Sequence, residues 1–99
     1  MDLIIVNDET DKETRGNDIN YDKLVDEAQI FFGESKEFFW QPCHYGFGWI
    51  CDTATKVRLL SLWRDTKDVF CRLYSTTKWT KEQKTTIEEF LRRNGCFIP

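Results

Sequence analysis

The chain reads as an α+β fold: an antiparallel β-meander of about four strands plus a short N-terminal strand, packed with two amphipathic helices. The element order is β-α-β-β-β-β-α. Three observations predict it. Apolar residues recur at helical spacing in two separate segments, near residues 20–33 and 80–95. Between those segments the pattern changes to a period of two, punctuated by turn residues. Consecutive short strands with short connections most simply pair with their chain neighbours.

Leu3-Ile4-Ile5-Val6 is a continuous apolar, largely β-branched run, the signature of a short buried strand. Residues 7–20 are polar and acidic and contain Gly16, so they are expected to form a loop. Asn20 is a good N-cap for the first helix, and Asp22 sits in the first turn, where the helix dipole favours an anion. Leu24, Val25, Ala28, Phe31 and Phe32 fall on one helical face, and Gly33 stops the helix.

Residues 37–41 then read as a strand that meets Pro42, with Trp49-Ile50-Cys51 returning after the turn glycines Gly46 and Gly48. Residues 56–63 and 69–75 form the clearest hairpin, joined by the polar turn at 64–68. Uninterrupted alternation, with a five-residue turn, puts Val57, Leu59 and Trp63 beside Val69, Cys71 and Leu73. It puts Lys56, Arg58, Leu60 and Leu62 beside Phe70, Arg72 and Tyr74. With Leu60 and Leu62 on that second face, a helix is expected to cover it. Thr80 and Gln83 make a T-x-x-Q capping box for the last helix, whose stripe is Ile87, Phe90 and Leu91. Arg92 and Arg93 close it, Gly95 ends it, and Phe97 and Ile98 are expected to fold back on the core.

The 99 residues are 40% apolar, 31% charged and 15% aromatic. That is too apolar for a disordered chain and too charged for a membrane protein. No apolar run approaches the roughly 20 residues that span a bilayer. One domain over 1–99 is expected. The start lacks the basic segment of an export signal, which favours a cytoplasmic protein with Cys43, Cys51, Cys71 and Cys96 as free thiols.

The formal charge of −3 is uneven: residues 1–37 hold eleven acids and four bases, whereas residues 38–99 hold six acids and ten bases. An acidic chain is a poor general DNA binder, because phosphate affinity needs a basic footprint. The split points to an acidic arm on a mildly basic body.

No catalytic motif stands out. Cys43, His44 and Cys51 are of zinc-ligand type, but adjacent strand residues point to opposite faces and the spacing of structural zinc sites is missing. A Cys–His nucleophile would have to use His44, the only histidine, and no nucleophile elbow or oxyanion glycines flank any cysteine. The carboxylate pairs Glu88-Glu89 and Asp26-Glu27 lie on solvated helix faces. Gly46-Phe47-Gly48 lacks the third glycine of a phosphate loop. No cofactor, no metal and no enzymatic activity are therefore expected.

What stands out is aromatic surplus: four Trp, eight Phe and three Tyr. Tryptophan needs a partner for its N–H when buried, and exposed Trp and Tyr beside Arg are typical interface anchors. The expected function is a small stoichiometric inhibitor or adaptor that binds a protein partner. Phages and mobile elements encode proteins of this size and composition, directed at host nucleic-acid-handling or defence machinery. Two partner surfaces are expected: the acidic residues Asp8, Glu9, Asp11, Glu13 and Asp18, and the aromatic patch Phe39, Trp40, Tyr45, Phe47 and Trp49. The alternative is a nucleic-acid or nucleotide-binding module using Lys56, Arg58, Phe70, Arg72 and Tyr74, where rings stack on bases and cations meet phosphates. A small Cys/His or zinc enzyme comes third. No membrane partner is expected, and open sheet edges would allow homo-oligomers.

Overall fold

The computed structural model describes residues 1–33, 36–43 and 47–94. Six strands form one mixed sheet: β1 (Asp2–Asn7), β2 (Lys12–Asp18), β3 (Phe38–Pro42), β4 (Gly48–Asp52), β5 (Arg58–Arg64) and β6 (Asp68–Leu73). Helix α1 (Tyr21–Gly33) follows β2, and α2 (Lys81–Arg93) follows β6 through a short 3-10 turn at Thr76–Lys78. The strand order is β2-β1-β6-β5-β4-β3. The meander β3 to β6 is antiparallel throughout, as the alternating pattern predicts, whereas β1 runs parallel to β6. No described helix is long and apolar enough to cross a membrane.

Both helix starts follow the local chemistry. The Asn20 side chain accepts from the Lys23 N–H at 3.1 Å. The Thr80 hydroxyl accepts from the Gln83 N–H, and the Gln83 amide oxygen accepts from the Thr80 N–H, each at 3.0 Å. The predicted stop at Gly95 and the tail Phe97-Ile98 lie outside the described residues.

Two expectations are corrected. The acidic segment 7–20 is not a loop: the chain turns at Asp8–Asp11 and returns as β2, antiparallel to β1. The turn is held by Asn7, whose side chain accepts from the Glu9 N–H at 3.0 Å, while Asp11 adopts a left-handed φ of 56°. The order is therefore β-β-α-β-β-β-β-α. In consequence β1 is an interior strand, and the polar strand β2 takes the edge in its place.

The second correction concerns register. Strand β5 continues to Arg64, and the reversal is made at Asp65–Asp68, where the Asp65 N–H donates to the Asp68 carbonyl at 3.1 Å. The Asp65 carboxylate accepts from the N–H groups of Lys67 and Asp68 at 2.8 Å each. Arg64 then faces Val69, and the pairs become Leu62–Cys71 and Leu60–Leu73. A turn one residue shorter than expected changes the parity of the pairing, so the β5 side chains from Leu60 to Arg64 meet the other face of β6.

The core lies between the sheet and the two helices. Leu3, Ile5, Ile50, Leu60, Leu62, Val69, Cys71 and Leu73 face Leu24, Ala28 and Phe32 of α1 and Ile87, Phe90 and Leu91 of α2. Phe32 and Phe90 meet edge to face at 5.1 Å between centroids, and Phe32 meets Phe38 the same way at 5.3 Å. A bulge at Leu59, which the β4–β5 ladder skips, adds that side chain to the core and leaves Arg58 opposite Cys51 on the other face. Both helices sit on one side, and among the described residues no helix covers the other.

Candidate binding face of the sheet

The register defines the uncovered face residue by residue. One row crosses all six strands: Gln41, Trp49, Ser61, Arg72, Val6 and Glu13. Beside it run Trp63, Phe70, Ile4 and Arg15. On the other side lie Phe39, Cys51 and Arg58. In a two-layer sheet with helices on one side, this face would ordinarily alternate to polar residues. Here it is largely aromatic and basic.

The rings cover one another only in part. Trp63 meets Phe47 edge to face at 5.8 Å and Phe70 at a tilt at 5.7 Å, yet remains 48% exposed. The Arg58 guanidinium lies 3.9 Å from the centre of the Trp49 ring, and Lys56 lies 5.2 Å from that of Phe39. The Tyr74 and Ser61 hydroxyls are 3.1 Å apart. Among these rings is a shallow pocket of about 220 Å³, lined by Phe47, Trp49, Ser61, Trp63, Arg72 and Tyr74 among others. Burial pushes the Cys51 thiol up, against the opposing pull of nearby Arg58, and its Sγ lies 3.6 Å from the Gln41 amide oxygen. It is thus a buried protonated thiol.

The predicted aromatic patch is divided by the fold. Phe39 and Trp49 lie on the open face, and Phe47 joins them through Trp63. Trp40 points the other way, packs against the core and lies over Gly48. Tyr45 is outside the described residues, as is His44. The acidic residues are dispersed as well. Asp8 binds Arg72 at 2.8 Å, and Glu9 accepts from the Thr77 hydroxyl at 3.2 Å. Asp11 is in the turn and Glu13 is on the open face of β2. Asp18 stands at the far end of β2, where it pairs with the N-terminal ammonium. Several of these carboxylates therefore already have partners within the chain.

By contrast, Lys56, Arg58, Phe70, Arg72 and Tyr74 come together on the open face. Leu60 and Leu62, expected with them, belong to the core, and Ser61 and Trp63 replace them. The residues sequence reasoning missed are thus Ser61, Trp63 and Val6. The signal that would have found Ser61 and Trp63 is the Asp65–Asp68 turn, since Asp is a residue that closes turns through its own side chain.

A second concavity, of about 250 Å³, lies at the start of α2 between Glu37, Asp52 and Gln83. It is structural in character: the Asp52 carboxylate accepts from the Ala54 and Thr55 N–H groups and from the Gln83 amide. The Thr55 N–H leads the set that holds Asp52 below the usual carboxylate range. Desolvation, aided by neighbouring Glu82, pushes Glu37 up. Among the described residues no three His, Cys, Asp or Glu side chains gather as metal ligands; Cys43 is exposed and Cys51 buried. No protein-family model, curated protein or solved structure matches the chain.

Proposed function

We propose that this chain is a stoichiometric protein-binding module, an inhibitor or adaptor, whose interface is the open face of the sheet. The observation that carries this reading is the exposed aromatic group centred on Trp63, flanked by Arg58 and Arg72 on a face that no described helix covers. Trp, Tyr and Arg are the residues most enriched where truncation costs an interface the most. They stand on strands of a packed sheet, so little ordering is needed on binding.

A second reading, a single-stranded nucleic-acid platform, is favoured by the gathering of Lys56, Arg58, Phe70, Arg72 and Tyr74 on that same face. It ranks lower for two reasons. Lys56, Arg58 and Arg72 together are a small basic footprint in a chain of net charge −3. The rings surround one shallow pocket rather than forming the row of successive platforms on which a strand of bases stacks.

An aromatic photo-crosslinking residue in place of Trp63, which keeps a ring at the anchor position, tests the reading, with Lys84 on the exposed side of α2 as the reference position. A discrete protein adduct from position 63 is expected. It should survive nuclease, be competed away by the unmodified chain, and be absent from position 84. Equal adducts from both positions, or only nuclease-sensitive ones from position 63, would overturn it.

A further inference from the structure

We infer that the pocket between Trp49, Trp63 and Tyr74 is a socket for one aromatic side chain of the partner, carried on an acidic segment. This rests on the open face being a protein interface and specifies the chemistry of what docks there. Size is the first argument. Pockets that enclose a whole small ligand run to roughly 300–1,000 Å³, whereas this one is about 220 Å³. It fits a single side chain presented by a larger molecule.

Wall chemistry is the second. Phe47, Trp49 and Trp63 supply ring surface, which suits a flat apolar group. The one charged side chain among the described lining residues, Arg72, can only donate, and the hydroxyls beside it can donate as well as accept. The Ser61 and Tyr74 hydroxyls share one hydrogen bond between them. Two hydroxyls hold two hydrogens, and their mutual bond uses one, so the other is left to donate. Arg72 adds a guanidinium, which only donates, and its side chain is 48% exposed. Arg58, over Trp49, extends the positive charge along the rim. No carboxylate lines the pocket among the described residues.

The third argument is an internal stand-in. The Asp8 carboxylate already docks on Arg72 from the β1–β2 turn at 2.8 Å, with both side chains close to half exposed. An exposed pair of this kind is weak and readily exchanged. A partner carboxylate beside the aromatic group would take the place that Asp8 holds.

The probe is the acetylated, amidated peptide Asp-Glu-Phe-Asp-Glu, titrated into the full chain while the indole N–H resonances of Trp49 and Trp63 are followed by NMR. Comparison peptides replace Phe by Ala, or all four acids by Lys, and single-stranded oligothymidylate is titrated in parallel. Saturable shifts of both indoles are expected with the acidic Phe peptide alone. Arg72→Gln should weaken binding about tenfold, the worth of one charge-assisted hydrogen bond. Asp8→Asn should strengthen it about threefold by freeing Arg72. That gain cannot come from a variant that has merely lost its fold. The inference is overturned if no saturable shift occurs, if the Ala or Lys peptide binds as well, or if oligothymidylate moves the same resonances more tightly. Crosslinking from position 63 separates the two claims. A protein adduct with no peptide binding removes the acidic anchor and keeps the interface, whereas loss of both removes the interface itself.

Discussion

The two faces of this sheet carry similar hydrocarbon in different surroundings. On the helix side, Leu60, Leu62, Cys71 and Leu73 lie under α1 and α2 with essentially no exposure. On the other side, Trp49, Trp63, Phe70 and Tyr74 are covered, among the described residues, by one another, by Phe47 and by a few cations. Where a ring is surrounded on all sides, truncation opens a cavity and removes contacts that nothing replaces. Where it is half wet, truncation removes a smaller share, since water already meets the rest. The same residue types therefore hold the fold on one face and remain free to bind on the other.

The largest expected effect lies on the helix side. Phe32 is fully buried and meets Phe31, Phe38 and Phe90. Phe32→Ala should cost about 3–5 kcal/mol, the range for buried aromatic truncations. That is a large fraction of the roughly 5–15 kcal/mol that holds a domain together. Urea denaturation followed by circular dichroism would show it as a lower midpoint or an unfolded chain. A loss below about 1 kcal/mol would mean the helices are not docked as described.

A backbone position on the same side comes next. A Cβ on Gly48 would lie 2.3 Å from Trp40 Cζ2, so Gly48→Ala must push the indole off the strand. Overpacking of this kind costs about 1–3 kcal/mol. Thermal denaturation of Gly48→Ala and of the double variant Gly48→Ala/Trp40→Val would separate the clash from any intrinsic preference. The double variant should recover part of the loss, because the smaller side chain leaves room for the methyl.

These two positions also show what was legible. Capping, helical stripes and the four-strand meander are local properties, and Asn20, Thr80, Gln83, Ile87 and Phe90 announce them directly. The strand β2 carries no apolar signal, because Lys12, Glu13, Thr14 and Arg15 sit on an edge and need not be buried. Its partner β1 supplies the hydrophobic surface, and that pairing is invisible until the chain is folded. The composition of the open face turned on a single residue of turn length at Asp65–Asp68. Parity of a hairpin loop is a small difference in sequence and a complete exchange of side-chain faces in space.

The third effect is smaller and depends on pH. The Asp52 carboxylate ties the β4–β5 connection to α2 through Ala54, Thr55 and Gln83, and Asp65 closes the next hairpin. Hydrogen bonds to the charged form hold both below the usual carboxylate value of 3.8; for Asp65 they come from the Asp68 and Lys67 N–H groups. A lowered folded-state value stabilises the fold fully above the unfolded value, and that stabilisation fades as pH falls through the folded one. Asp52→Ala should cost about 1–2 kcal/mol at neutral pH, and progressively less as pH falls through the lowered folded-state value, where the wild type itself loses the charge. Denaturation midpoints of both chains from pH 2 to 7 should converge at the acid end. A constant gap would show that packing, not the carboxylate, holds that corner.

The smallest effect on stability should accompany the largest on binding, and it separates the two faces most sharply. Trp63 is the most exposed of the rings considered, at 48%, and its packing partners Phe47 and Phe70 lie on the same open surface. Trp63→Ala removes two aromatic contacts, each at the low end of about 0.5–1.5 kcal/mol because the ring is already half wet. A net loss near 1 kcal/mol is expected, so the variant should fold with an unchanged circular dichroism spectrum. At an interface the same ring would be fully desolvated, and truncation of such an anchor costs about 2 kcal/mol or more, at least thirtyfold in affinity. Measured against the protein captured by crosslinking at position 63, the dissociation constant should rise by that factor. If instead stability collapses while affinity holds, Trp63 is part of a core whose cover lies outside the described residues, and the distinction between the two faces fails.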